Sequence, residues 1–346
     1  MDKMIKKLES VVVAKSLKEV QESIQFVKAC FEKRLATKLH LTKVTSPLFV
    51  KDGTGINDDL NGIERPVMFA VKSDADQKAV VVHSLAKWKR MALAKYGMKS
   101  GEGIVTDMRA IRADEDLDEI HSLFVDQWDW ERVITSQDRT LKFLKKIVSD
   151  IYSVIKQTEK AVCAKYSDIS PVLPSKITFV HTEELVSKYP HLTPRQREHE
   201  ICKIHGAVFL IGIGGDLIDG KPHDGRASDY DDWSTPTDTG FKGINGDILV
   251  WNPVLQTSFE LSSMGIRVDK KSLEAQLKLK GHEHRKEFLF HRMLLEDKLP
   301  LSIGGGIGQS RMAMFVLRKK HIGQVQPSIW PDHILADCKA KGVELL

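Results

Sequence analysis

Cysteine is scarce in this chain, and its few cysteines stand apart from one another. Four occur among 346 residues, and none belongs to a CxxC pair. Structural zinc is usually held by closely spaced thiolates and histidines, so a zinc site is not expected. Isolated thiols are typical of proteins that work in a reducing compartment. We therefore expect a cytoplasmic protein.

Long apolar runs, linkers and repeats are also missing. The N-terminal region has only the run Val-Val-Val-Ala at residues 11–14, which is too short for a signal-peptide core or a membrane span. No tract rich in proline, glycine and serine divides the chain, and no repeat has a solenoid period. The 42% of apolar residues suffice for one large domain or two small ones. We expect a single domain over residues 1–346, without contact with a membrane.

An excess of one charge is absent too. The chain has 52 basic and 47 acidic residues, which leaves a formal net charge of +5. Such a balance does not make the strong basic footprint of a nucleic-acid-binding protein, but it suits an anionic substrate such as ATP. No nucleic-acid partner is expected.

Hydrophobic periodicity predicts an α+β fold. Ser16 and Glu19 form a capping-box pattern before a helix that should run to about Leu39. An extended stretch follows at residues 41–50, and Pro47 inside it predicts a strand at an edge or an interface. Further strands are predicted at 67–71, 79–82, from 123, 177–180, 208–211, 248–250 and 259–266, and helices at 85–95, 136–164 and 271–294. The last of these helices is mostly polar, and we expect it to be exposed to solvent. The strands cluster with few βα alternations, which favours an antiparallel or mixed sheet flanked by helices.

A glycine-rich segment at residues 304–308 is predicted to open the last helix, with Arg311 in its first turn. Glycines let a backbone approach a ligand closely, and a helix N-terminus attracts anions. A cation there opposes the helix dipole, so Arg311 is a candidate for contact with phosphate. The spacing of a P-loop is missing, and a plain glycine-rich turn is the alternative.

Three other clusters could carry chemistry. Arg112 stands among acidic residues before a strand, where it could bridge phosphate oxygens or belong to a solvated charge run. Asp247 and Glu260 lie on neighbouring apolar strands, where they could hold Mg²⁺, or form an ion pair with Arg267. The basic segment at residues 83–90 could bind a carboxylate or form the exposed face of a helix.

Long segments resemble the ammonia-dependent asparagine synthetases (aspartate–ammonia ligases, type A) over about residues 15–331. The family is related to class II aminoacyl-tRNA synthetases, especially the aspartyl enzyme, which implies an antiparallel sheet flanked by helices and a homodimer. The segments that carry the resemblance are HSLAKWKR at 83–90, VDQWDWERV at 125–133, YDDWSTP at 230–236, NGDILVWNPV at 245–254, ELSSMGIRVD at 260–269 and IGGGIGQSR at 303–311.

The resemblance implies a role for each matching residue. The first class motif corresponds to the helix up to Leu39 and Pro47, and the second to Arg112 with Asp114 and His121. Catalytic roles are implied for Asp58, Arg112 and Arg311. Contacts with aspartate are implied for Ser84, Lys89, Gln127, Asp129 and Arg267. Contacts with ATP are implied for Arg112, His121, Ser263, Gly306 and Arg311, and Mg²⁺ ligation for Asp247 and Glu260.

The resemblance also implies a reaction. L-aspartate, ATP and ammonia would give L-asparagine, AMP and pyrophosphate through a β-aspartyl-adenylate. Lys89 and Arg267 would hold the α-carboxylate, and Gln127 and Asp129 the ammonium group. Asp58 would draw in ammonium and take its proton, unless Asp58 or Asp59 only shapes an Asx turn.

Two departures from the synthetases matter. Only about 110 residues precede Arg112, so we expect no separate anticodon-binding domain, and we expect no glutaminase segment or catalytic amino-terminal cysteine. Ammonia would then come from solution. A truncated aspartyl- or asparaginyl-tRNA synthetase is the alternative, and a binding module with a degenerate site is a third.

Overall fold

The protein was analysed as a computed structural model that describes residues 16–58, 60 and 64–346. The apolar run at residues 11–14 and Asp59 lie outside these residues. The strands are β1 (Leu41–Lys43), β2 (Phe49–Lys51), β3 (Met68–Val71), β4 (Asp74–Val81), β5 (Gly103–Ile111), β6 (Phe124–Val133), β7 (Thr178–His181), β8 (Ala207–Ile211), β9 (Asn245–Asn252), β10 (Thr257–Ile266) and β11 (Ser302–Gly308). The helices are α1 (Leu17–Leu39), α2 (Ala86–Lys95), α3 (Leu141–Lys165), α4 (Thr182–Lys188), α5 (Pro194–His205), α6 (Lys270–Leu279), α7 (Leu289–Leu295), α8 (Gln309–Val316) and α9 (Asp332–Ala340).

Within the described residues, eight strands form the main sheet in the order β1-β5-β6-β11-β10-β9-β8-β7. All neighbours from β5 to β8 are antiparallel, and the two outer pairs, β1 with β5 and β7 with β8, are parallel. A smaller antiparallel sheet has the order β2-β4-β3. The predicted α+β class with helices around a largely antiparallel sheet is confirmed.

The largest core lies where α1 and α3 cover the main sheet. Ser16 caps α1 through the predicted capping box, and the buried stripe of this helix includes Phe31. The ring of Phe31 lies 4.4 Å from that of Trp128 on β6, and Trp130 is buried on the same strand. Successive side chains of a strand point to opposite faces, so the polar residues between and beside these tryptophans face away from α1.

Several boundaries differ from the prediction. Residues 304–308 belong to β11 rather than to a loop, and α8 begins after them. Ser136 opens a short 3₁₀ helix, while Thr140 caps α3. Pro47 lies between β1 and β2, outside both strands. Strand β5 was not anticipated, because its alternation of apolar and charged residues was interpreted as a charge cluster.

The predicted polar helix at residues 271–294 is wrong in length and in exposure. It is divided into α6, a 3₁₀ turn at Glu283–Glu287 and α7. Leu273 and Leu277 on α6 pack with Phe290 and Leu294 on α7 in a separate buried cluster. The division brings two apolar faces together, which one straight helix could not do. No helix in the described part of the chain is both long enough and apolar enough to cross a bilayer.

Candidate active site

Strand β6 presents a row of polar side chains on the face away from α1. Gln127, Asp129 and Glu131 are two residues apart, and β11 runs beside them with Gly306 opposite Asp129 and Gly304 opposite Glu131. A Cβ on Gly304 would overlap the carboxylate of Glu131, and one on Gly306 would overlap the amide of Gln127. The glycines therefore make room for the polar side chains of the neighbouring strand. They form no phosphate-binding loop.

A buried ionic network lies on this row. Arg267 donates from Nη2 to Glu131 Oε2 at 2.9 Å and from Nη1 to Asp231. Lys89 Nζ donates to Asp129 Oδ1 at 2.9 Å. Burial lowers the pKa of Lys89, and Asp129 only partly opposes that shift. Burial also acts against the charge of Arg267, but its two carboxylate partners raise the pKa of Arg267 above its ordinary value.

Asp58 lies in the loop after β2, and its side chain contacts Ser84 just before α2. It is 2% exposed. Its Oδ1 accepts from the backbone N–H of Leu60 at 3.0 Å, which is an Asx turn, and its Oδ2 accepts from Ser84 Oγ at 2.8 Å. The Asx turn predicted as the alternative role is thus present at Asp58, together with the contact to Ser84.

Arg112 and His121 lie at the other end of the row, after β5 and before β6. The side chain of Arg112 is 3.7 Å from Glu115, and its buried Nε has no hydrogen-bond partner among the described residues. His121 contacts Asp118 at 2.8 Å. Burial acts to raise the pKa of Asp118, but hydrogen bonds from His121 and a backbone N–H lower it to about 2. Asp118 therefore holds His121 in place.

Arg311 stands in the first turn of α8, as predicted. Its Nη1 lies 3.2 Å from Glu260 Oε2 and 3.3 Å from the carbonyl of the same residue. The side chain is partly exposed. Because a cation at a helix N-terminus is unfavourable, Glu260 is the group that offsets this placement in the absence of a ligand.

Asp247 and Glu260 lie on the adjacent strands β9 and β10. Arg226 Nη2 donates to Asp247 Oδ1 at 2.6 Å. Burial raises the pKa of Asp247 in spite of Arg226, and the charge of Glu260 adds to that rise. The two carboxylates thus repel each other, and a cation between them would relieve the repulsion. Arg267 is bound elsewhere, so the alternative of an ion pair with Arg267 is wrong. No cluster of three or more His, Cys, Asp or Glu side chains suited to a metal occurs in the described residues.

One cavity of about 460 Å³ collects most of these groups. Of the residues predicted from sequence, its walls include Asp58, Ser84, Arg112, His121, Gln127, Asp129, Glu260, Ser263, Arg267, Gly306 and Arg311. Lys89 and Asp247 are not on its surface. Both are bonded to groups that are, Lys89 to Asp129 and Asp247 to Arg226. The structure therefore brings distant segments into one polar cavity.

Several charged residues at the site are missing from the prediction, among them Glu131, Asp231 and Arg226. Glu131 continues the polar alternation of β6, and Asp231 stands in the YDDWSTP segment, so both had a signal in the sequence. Arg226 is partnered by Asp247 and lies 3.7 Å from Asp231. No local pattern marks Arg226, because its partners come from a strand and a loop that only folding brings near.

The fold defines the class of the protein first. An asparaginyl-tRNA synthetase from Pyrococcus horikoshii, in complex with asparaginyl-adenylate, matches with a TM-score of 0.68 at 14% identity, over 90% of this chain and 70% of that one. An asparaginyl-tRNA synthetase from Entamoeba histolytica, also with asparaginyl-adenylate, matches with a TM-score of 0.63 at 14% identity, over 91% of this chain and 68% of that one. The chain has the fold of the class II aminoacyl-tRNA synthetases.

Sequence similarity then defines the family. The aspartate-ammonia ligase family model matches residues 18–342. An aspartate–ammonia ligase from Bacteroides thetaiotaomicron is 55% identical over 330 residues, which cover 95% of this chain and 96% of the relative. One from Bacteroides fragilis is 56% identical over the same shares. This chain belongs to the aspartate–ammonia ligase family. It is a ligase that uses ATP to make asparagine from aspartate and ammonia.

Proposed function

We propose that the reaction runs through a β-aspartyl-adenylate and releases AMP and pyrophosphate. The observation that carries the proposal is that Arg267, Gln127 and Asp129 line the same cavity as Arg112 and Arg311. The first group suits a small zwitterion with an extra carboxylate, and the second suits phosphate oxygens. A substrate carboxylate held between them would face the α-phosphate of ATP.

Aspartate is held by the polar row on β6. Arg267 uses three of its five N–H groups on Glu131 and Asp231, which leaves two for the α-carboxylate of the substrate. Asp129 and Gln127 accept from the ammonium group. Lys89 does not line the cavity and does not contact aspartate directly. It orients Asp129 and neutralises part of the charge of that carboxylate. The β-carboxylate then points toward Arg112, and binding makes its attack on ATP effectively intramolecular.

ATP lies between Arg112, His121 and Arg311, with Ser263 and Gly306 beside it. Asp247 and Glu260 would hold Mg²⁺, because they lie on adjacent strands and the charge of Glu260 contributes to the raised pKa of Asp247. When bound, Mg²⁺ would neutralise charge on the leaving pyrophosphate. Glu260 would turn from Arg311 toward the metal, and Arg311 would turn to phosphate.

Ammonia attacks the adenylate from the side of Asp58. Attack gives a positively charged nitrogen, and the amide forms when this nitrogen loses a proton and AMP departs. Asp58 lines the cavity and is fixed by Ser84 and by its own Asx turn, so its carboxylate can accept that proton without rearrangement of the loop.

The proposal predicts the fate of a single oxygen atom. Aspartate labelled with heavy oxygen only in its β-carboxylate should pass one labelled oxygen to AMP during asparagine formation with ATP, Mg²⁺ and ammonium. EDTA should stop the reaction, and mass spectrometry of AMP and asparagine measures the label. Aspartate labelled in its α-carboxylate is the matched control and should leave AMP unlabelled. Formation of ADP, or AMP labelled from the α-carboxylate, would contradict the proposed course.

The similarity to asparaginyl-tRNA synthetases favours tRNA charging as the second candidate function. We propose instead that the whole chain is one catalytic domain with no nucleic-acid partner, since the nearly balanced charge offers little attraction to phosphate backbones. Adding tRNA to the labelled assay distinguishes the two, because stable aspartyl-tRNA would support the second candidate. We also propose that the enzyme works in the cytoplasm.

A homodimer is proposed from the surface near Pro47. The apolar stripe of α1 covers the core of its own chain, so α1 does not offer that stripe to a partner. The small sheet instead exposes Phe49 and Phe69, whose rings lie 5.2 Å apart, beside exposed Leu48. Exposed aromatic groups of this kind mark interfaces.

We expect a solution mass of two chains of 39.0 kDa each. Replacing both Phe49 and Phe69 with Glu should give one chain, since two charges would then face each other across the interface. Ile218→Glu is the matched control, because Ile218 is 79% exposed on another part of the surface. Light scattering at micromolar concentration measures the mass. A wild-type mass of one chain would rule the dimer out.

A further inference from the structure

A second cavity of about 250 Å³ lies behind the loop that holds Asp58. Its wall includes Asp52, Gly55, Asn57, Glu64 and His83. Glu64 also lines the larger cavity, so the two are neighbours. The reaction proposed above uses no residue that lines this second cavity.

His83 carries a buried acceptor without a partner. The residue is 2% exposed, and its Nδ1 lies 2.9 Å from the backbone carbonyl of Asp58. A carbonyl only accepts, so Nδ1 carries a proton, and in the neutral form of the ring Nε2 is an acceptor. Nε2 is buried and has no hydrogen-bond partner among the described residues. A buried acceptor left without a donor is costly, which points to a donor that binds there.

The charges around His83 suit a small cation. Two carboxylates, Asp52 and Glu64, share the wall with it. The other titratable groups of the wall are Lys51, His284 and Arg285. Lys51 is exposed, and Arg285 Nη1 lies 3.3 Å from Asp229, a fully buried carboxylate that Lys87 also contacts. Ammonium has four N–H donors and no acceptor, and it is a substrate of this ligase family.

The partition between the cavities contains two consecutive residues, each of which lines one cavity. His83 lines the second cavity, and the next residue, Ser84, lines the larger one. Ser84 Oγ donates to Asp58 Oδ2 at 2.8 Å, while His83 Nδ1 donates to the carbonyl of the same Asp58. A molecule that leaves His83 and passes this partition arrives beside the carboxylate of Asp58.

We propose that the second cavity binds ammonium and that His83 removes its first proton. One N–H bond of ammonium breaks with its electron pair kept on nitrogen, and Nε2 of His83 forms the new N–H bond. Neutral ammonia then passes Ser84 with its lone pair available for attack, and the imidazolium returns its proton to solvent past Asp52. Asp58 receives the second proton after attack. Only this last step rests on the adenylate of the proposed function.

His83→Asn tests the proposal. The amide nitrogen of Asn can still donate to the carbonyl of Asp58, while the acceptor at Nε2 is lost. We expect the KM for ammonium in asparagine formation to rise about tenfold or more, as for other lost hydrogen bonds to charged groups. Aspartate-dependent pyrophosphate exchange, which needs no ammonium, should be retained. Hydroxylamine, which is largely unprotonated at neutral pH, should still give aspartyl hydroxamate.

Two further variants sharpen the result. Asp52→Asn should raise the KM for ammonium two- to threefold at low salt and less at high salt, since it removes a screened surface charge. Asp74→Asn is its control, because Asp74 is an exposed carboxylate on β4 outside both cavities, and it should change nothing.

An unchanged KM for ammonium in His83→Asn would overturn the proposal. Equal losses of ammonium use, hydroxylamine use and exchange would also overturn it, because His83 would then only shape the Asp58 loop. The KM ratio is measured from asparagine alone. Absence of pyrophosphate exchange in the wild-type enzyme would contradict the proposed adenylate. It would not change the ratio of KM values for ammonium, which tests His83 independently.

Discussion

Arg311→Ala is expected to lower aspartate-dependent pyrophosphate exchange about 100- to 1,000-fold, the usual cost of losing one preorganised group that stabilises transition-state charge. Among the described residues, its guanidinium contacts one carboxylate, that of Glu260, and it is partly exposed. An arginine at a helix N-terminus opposes the helix dipole, which agrees with the proposed contact of Arg311 with phosphate.

The controls separate this role from a general effect of charge. Arg311→Lys keeps the charge but loses the planar fork, so exchange should fall to an intermediate rate. Arg195→Ala removes an exposed arginine from α5, outside the cavity, and should leave exchange unchanged. If the exchange rate of Arg311→Ala stays within threefold of the wild-type rate, Arg311 does not stabilise phosphate in the reaction.

Arg267→Ala is expected to lower the free energy of unfolding by about 3–5 kcal/mol, because it leaves Glu131 and Asp231 buried without their cation. Arg267 is 3% exposed and bonds to both carboxylates. Among molecules that remain folded, the KM for aspartate should rise roughly ten- to a hundredfold, since a charge-assisted contact to the α-carboxylate is also lost. Urea unfolding and the aspartate dependence of exchange measure the two effects.

An exposed ion pair and a double variant serve as comparisons. Arg65→Ala breaks the ion pair with Asp114 at the surface, and its stability should hardly change. Arg267→Met combined with Glu131→Gln removes a cation and one carboxylate together, so it should regain part of the lost stability but not the affinity for aspartate. A double variant that restored the KM for aspartate would show that Arg267 supports the fold only.

Much of the fold and of the site could be predicted from local patterns. The capping box at Ser16 and the apolar stripe behind it define α1, because each depends on residues within a few positions of one another. The alternation around Trp128 and Trp130 likewise separates the buried face of β6 from its polar face. The long matching segments added the family and many of the residues that line the cavity, among them Arg267 and Arg311.

The glycines at residues 304–308 show where local reasoning failed. Glycine is typical of turns, and the segment was interpreted as a loop before a helix. In the structure it is a strand paired with β6 and β10, and glycine fits there because a Cβ would overlap the polar side chains of β6. The helix at residues 271–294 failed for the same reason, since contacts between α6 and α7 decide its break.

The sequence by itself determined the ligase family, the α+β class, the first helix and the chemical types of the site residues. Only the tertiary structure decided which charges meet: Asp247 meets Arg226, Glu260 meets Arg311, and Arg267 meets Glu131. It also decided that Nε2 of His83 is buried without a partner among the described residues. The physical reason is how far apart the interacting residues are along the chain. Helix caps and strand alternation are set by neighbours along the chain, whereas a buried charge is paired by whichever distant segment the packing of the sheet brings beside it.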